Sequence, residues 1–438
     1  MADGLGDFSH FVDIVEALQS NPRFSKVEFI PIILFDSDGK PANKARVIDE
    51  LISMGYPNAI FGDIYDHREF IANETVQQQI QSFDQAIVIS CDLDELLNIY
   101  APYFKLDIPI KLIAEHEGML YVPVNTPKHA QITEAPLGLA SGNSGIKIKP
   151  TAHMEPEAAW QIIVEAHPEF SKQLLESTHS DNFEMLQNNH IIIPAYFNNN
   201  ADFKHQDIVI YHSGSDFSKF AHPFYLSKVQ KQLNTTSIQS IQIFTPEENT
   251  EITVPCNPDG SQTIRIYHGH YLNNTAYDAL YHLSSMAGVS GDNTFERCVS
   301  MHVLPSYWST NPFTKTATLR ALSDITQNKD LEISEHARDS FKLFFSPDYY
   351  YSFKNSLEPA LGTPPDYIHH QEDVDVSLMI KEWPIVCDYL KAHYNFYDKL
   401  EAIALADLPE IEQTFKARFN EANEEGAAEA SSSPKNKS

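Results

Sequence analysis

The sequence predicts an α/β protein in which two series of parallel strands and helices follow one another along the chain. Short apolar runs bounded by turn residues alternate with helical stretches, first from Val27 to Ala114 and again from Asp207 to Trp308. A length of 438 residues is enough for two domains of about 200 residues, each burying its own core. Two turns of small polar residues, Asp3 to Asp7 and Ser290 to Thr294, lead directly into helical patterns. Turns of that kind occupy the carboxyl ends of parallel strands, where open α/β folds place ligands.

In the first series Phe8, Phe11, Val12, Val15 and Leu18 line one face of a helix. Val27 to Phe35 reads as a strand and Lys44 to Met54 as the next helix. Asn58 to Phe61, Gln85 to Ile89 and Ile110 to Ala114 are further short strands, with a helical stretch at Leu93 to Tyr103. Ile191 to Pro194 closes this domain, and Asn198 to Asn200 is the expected hinge. The second series runs through Asp207–Tyr211, Ile238–Phe244, Thr263–Tyr267, Ala287–Ser290 and Val303–Trp308. Residues 385–405 are helical in pattern and are expected to cross back to the first domain. The domains are therefore expected at 1–200 and 201–420. Residues 421–438, rich in Ala, Ser, Glu and Lys, are expected to form a disordered tail.

Composition narrows the classes. An apolar content of 42% marks a globular chain rather than a disordered one. The formal net charge of −29 opposes non-specific binding to nucleic acid or to anionic membranes, both of which need basic patches. Cys91, Cys256, Cys298 and Cys387 form no CxxC pair, so reduced thiols are expected rather than a disulfide framework or a zinc site. No apolar run approaches the roughly 18 residues of a membrane span. Acidic residues stand where a signal peptide carries basic ones. A cytoplasmic protein is expected.

The turn at Met286-Ala-Gly-Val-Ser-Gly-Asp-Asn-Thr-Phe-Glu-Arg297 reads as strand, tight turn, helix. Asp292, Asn293 or Thr294 caps the helix start, and Gly291 admits a ligand close to the backbone. The free N–H groups of a first helical turn attract anions such as a diphosphate. The same local pattern also fits an ordinary capped helix. At the other end, Asp3-Gly-Leu-Gly-Asp7 sets two carboxylates around a Gly-rich turn at a helix N-terminus. The positive helix end stabilises them as anions, and one of them is placed to accept a proton from an acceptor. Asp7 is equally suited to capping the helix.

This pair of motifs resembles the GT-B glycosyltransferases, two Rossmann-like domains facing a cleft, and most closely the bacterial elongation factor P arginine rhamnosyltransferase family. That family has an aspartate and a Gly-Asp dipeptide before its first helix, to which Asp3-Gly-Leu-Gly-Asp7 is similar. Its Gly-Glu-Asp-Ser-Phe-x-Arg turn is similar to Gly291-Asp-Asn-Thr-Phe-Glu-Arg297, with Asp292, Asn293 and Thr294 as the replacements. Tyr271 to Tyr281 resembles the family's helix before that strand. The resemblance implies Asp3 as general base, Asp7 as its orienting partner, and Asp292 to Thr294 with Arg297 around the donor diphosphate. Gly4, Gly6, His10 and His116 are the expected acceptor-side residues, and Ser213, Gly214 and Ser215 the further donor-side ones. His212 and Lys219 are additional positive candidates. GT-B domains normally open on a strand, and only Met1 and Ala2 precede Asp3, so that strand is expected to be a stub or absent.

The expected activity is inverting, metal-independent transfer of a sugar from a nucleotide-diphosphate donor, with no resident cofactor. The acceptor is left open, a protein side chain among its candidates. Gly138 to Gly145 reads as a flexible loop suited to a lid. Asp36-Ser-Asp38-Gly39 resembles the metal-binding DxD of GT-A enzymes, though acid-Ser-Asp-Gly is also a common turn. A third alternative is a non-catalytic sugar-nucleotide or protein-interaction module.

Overall fold

Apolar spacing, caps and turn residues account for most of the elements observed. The structure is a computed structural model that describes residues 6–35, 41–63, 73–90, 109–114, 132–150, 154–168, 205–210, 238–245, 250–255, 257–268, 273–284, 286–289, 292–307, 312–346 and 374–405. The elements begin with α1 (Gly6–Ser20), a 3-10 turn (Pro22–Phe24), β1 (Ile32–Phe35), α2 (Pro41–Ser53) and β2 (Ile60–Asp63). Next come α3 (Glu74–Gln81), β3 (Ala86–Ser90), β4 (Ile110–Ala114), β5 (Ile132–Glu134), α4 (Pro156–Ala166) and β6 (His205–Ile210). Then follow β7 (Ile238–Thr245), β8 (Thr250–Pro255), β9 (Gln262–His268), α5 (Asn274–His282), β10 (Met286–Val289), α6 (Asp292–Ser300) and β11 (Leu304–Tyr307). The last four helices are α7 (Pro312–Thr326), α8 (Glu335–Phe344), α9 (Val376–Tyr394) and α10 (Tyr397–Leu405).

Backbone contacts divide the chain into two compact units, one of residues 1–145 with 395–438 and one of residues 146–394. The hinge expected at Asn198 to Asn200 lies outside the described residues, as do the helix expected at Leu93–Tyr103, the strand expected at Ile191–Pro194 and the tail from residue 421. The helical pattern of residues 385–405 is present as α9 and α10, and the break between them is where the chain passes back to the first unit.

In the first unit α1 serves two apolar clusters. Phe8 and Val15 pack with Ile33, Phe35, Val47 and Leu51 of β1 and α2. Ile14 and Leu18, on the adjoining face, pack with Ile113 of β4, with Phe396 just before α10, and with Leu400 and Ala404 of α10. One amphipathic helix thereby joins the β1–β2 pair to the parallel β3–β4–β5 sheet. Asn21 caps the 3-10 turn that follows α1. Its side chain accepts from Arg23 N at 3.0 Å and donates to Glu401 of α10 at 2.7 Å, while Arg23 pairs with the same carboxylate. α2 stops at Gly55, whose φ of +88° is the left-handed conformation that glycine adopts without a Cβ clash.

The loop from Gly138 to Gly145 is closed on itself rather than open as a lid. Gly138 N donates to Gly145 O at 2.8 Å, Ser144 N donates to Pro136 O at 2.7 Å, and Leu139 is buried. Three glycines at positive φ (138, 142 and 145) allow so tight a closure.

In the second unit four strands run in the order β6-β9-β7-β8. β9 is parallel to both β6 and β7, whereas β7 and β8 are antiparallel. The parallel sheet implied by alternating strands and helices is present in β6, β9 and β7, and β8 adds an antiparallel edge. Only Pro246 to Asn249 separate β8 from β7, and a parallel return needs a crossover of a dozen residues or more. Ala159 and Ile163 of α4 pack against Ala276, Ala279 and Leu280 of α5, where small residues allow close approach. Phe341, Phe345 and Trp383 join α8 to α9, with ring centroids 5.7–6.0 Å apart. Pro384 lies within α9 and removes one of its backbone hydrogen bonds.

Candidate functional site

The candidate site is the β10–α6–β11 segment. β10 and β11 are parallel, with Met286 beside Leu304 and Val289 beside Tyr307. Their carboxyl ends share one edge, and α6 begins at that edge three residues after Val289. The strand–turn–helix expected from the sequence is present. Phe295, Cys298 and Val299 are buried and fix which side of α6 faces the core. Asp292, Asn293 and Thr294 of its first turn are half-buried, and Gly291 itself lies outside the described residues.

Two ion pairs anchor this helix. Lys147 reaches α6 from an extended segment, and its Nζ lies 2.8 Å from Asn293 Oδ1 and 3.2 Å from Glu296 Oε2. The backbone N–H of Lys147 donates to the other Glu296 oxygen at 2.9 Å. Both side chains are almost fully buried, at 2% and 6% exposure. Burial pushes the Glu296 carboxyl up to about 7; the Lys147 charge pulls it down and Asp292 pushes it further up. Two residues on, Lys149 N donates to Ser300 Oγ at 3.1 Å, so the segment runs alongside α6.

Arg297 makes the second pair. Its Nε is 2.9 Å from Asp278 Oδ1 of α5, and its guanidinium carbon stands 5.0 Å from the Tyr277 ring and 5.9 Å from the Tyr281 ring. The two phenols meet at 3.1 Å. Burial raises the Asp278 carboxyl, against the pull of Arg297, Lys149 and His282. Arg297 keeps 30% of its side chain exposed, so it is reachable from solvent while neutralised by Asp278.

α6 ends on a non-glycine. His302 has φ +60°, its N–H donates to Val299 O at 3.3 Å, and Val303 N donates to Cys298 O at 2.9 Å. This is the left-handed helix stop usually made by glycine. Cys298 and Cys387 are buried free thiols, held well above the ordinary thiol range by desolvation, and so are poor nucleophiles. Cys91 and Cys256 lie outside the described residues.

The other expected residues are placed less completely. Gly6 opens α1 and Asp7 is its second residue. His10 lies on the same helix, 1% exposed. Asp3, Gly4, Asp36, Asp38, His116, Ser213, Gly214 and Ser215 lie outside the described residues, together with His212 and Lys219. The N-terminal motif belongs to the first unit and the β10–α6 motif to the second.

Lys147, Glu296 and Asp278 carried no signal in the sequence as site residues. In Gly145-Ile-Lys-Ile-Lys149 the alternation suggests exposed lysines, yet Ile146, Lys147 and Ile148 are all buried. Glu296 can be found only by noting that it shares a helix face with Asp292 and Asn293 at spacings of four and three.

No protein-family model matches the chain, and no curated protein matches it. Among the described residues no helix is long and apolar enough to cross a membrane.

Proposed function

We propose that the chain is an inverting glycosyltransferase of GT-B type, acting from a nucleotide-diphosphate sugar. The observation that carries the reading is the placement of the first turn of α6 at the shared carboxyl edge of β10 and β11. Such an edge is where parallel α/β sheets bind ligands, and a helix start there offers N–H donors to a diphosphate. Asp292 accepts from sugar or ribose hydroxyls, since a carboxylate repels phosphate. Arg297 and the backbone N–H groups meet the phosphate charge. Asp3 removes the acceptor's proton as the acceptor attacks the anomeric carbon, and the nucleoside diphosphate leaves with the bonding electrons. The donor is the co-substrate and the acceptor remains a class, protein side chains included.

One observation favours a second reading, a binding module without turnover: Asp278 already neutralises Arg297. A thermal-shift screen against nucleotide-sugars, followed by a transfer assay with and without EDTA, separates the readings. A ligand at about 100 times its Kd adds roughly 2.7 kcal/mol of stability. Stabilisation with transfer that survives EDTA supports the proposal. Stabilisation without transfer supports the binding module. Transfer lost on chelation and restored by manganese moves the site to Asp36 and Asp38. A flat screen across all donors removes the nucleotide-sugar reading.

A further inference from the structure

We draw no further inference here: the strongest candidate, the buried thiols of Cys298 and Cys387 on the packed helices α6 and α9, carries nothing, because burial holds both well above the ordinary thiol range and nothing among the described residues shows a ligand or an oxidant reaching them.

Discussion

Lys147 and Glu296 stand 149 residues apart in sequence and form a doubly bonded pair inside the second unit, Nζ to Oε2 at 3.2 Å and backbone N–H to Oε1 at 2.9 Å. The pair ties an extended segment to the helix whose first turn carries the candidate site. Burying both charges is costly, and attraction between them recovers only part of that cost. The Glu296 carboxyl, raised to about 7, records the imbalance.

The first prediction is a pH dependence of stability. Glu296 has a folded pKa of about 7 against an ordinary value of 4.5. Between those values the folded state binds more protons than the unfolded state, so stability falls as pH rises through that window. The cost above the window is on the order of 3 kcal/mol. Denaturant melts of the parent from pH 5 to 8 should show the decline, and Glu296→Gln should flatten it. Equal slopes in the two proteins would mean that Glu296 titrates normally.

Arg297 and Asp278 give the second prediction. Arg297→Ala should weaken nucleoside diphosphate binding by about 1.5–3 kcal/mol, the range for a hydrogen bond to a charged group. Asp278→Asn should act in the opposite direction, because it releases a guanidinium now held at 2.9 Å. Titration calorimetry on both variants gives the signs. Affinity unmoved in both, with stability lost, would make the cluster a structural clamp between α5 and α6.

Several individual elements are legible in the sequence. β4 begins and ends where the apolar run Ile110 to Ala114 does, and α6 begins at the small-polar turn that announced it. These elements follow from local chemistry: apolar periodicity and a polar turn. β8 is less apparent: Thr250-Glu-Ile-Thr-Val-Pro255 alternates, but it stands outside the strand–helix series, paired with β7 across a four-residue connection. The Lys147–Asn293–Glu296 contacts were not legible at all. They depend on which distant segment lies beside α6, and no local pattern encodes that.

The third prediction concerns the two helix stops. Gly55 and His302 occupy equivalent left-handed positions at the ends of α2 and α6, with φ of +88° and +60°. A residue with a Cβ costs about 1–2 kcal/mol there. His302→Gly should therefore raise the melting midpoint, even though it removes an exposed contact with Asp388 at 3.4 Å that is worth less than about 1 kcal/mol. Gly55→Ala should lower it; the added Cβ meets no atom within 4 Å, so the loss is backbone strain alone. For a unit of this size 1 kcal/mol moves the midpoint by about 2–4 °C. A fall on His302→Gly would show that the histidine ring contributes more than its backbone costs.

The last prediction separates catalysis from binding. If Asp3 is the general base, Asp3→Asn should bind nucleotide as tightly as the parent, because its task is the acceptor's proton and not the diphosphate. Turnover should fall by about 10²–10⁴, the usual worth of a positioned base. Asp7→Asn should lose less rate and some stability. Asp7 is the second residue of α1, where a carboxylate favours the positive helix end by about 0.3–1 kcal/mol. Isothermal titration paired with single-turnover transfer measures both quantities in each variant. Parental turnover in Asp3→Asn would move the base to His10 or His116. Of these His10 is buried on α1 at 1% exposure, so an acceptor would have to open that packing to reach it. That requirement puts His116→Ala first among the follow-up variants, with a loss of turnover at unchanged nucleotide affinity as the result that would assign it.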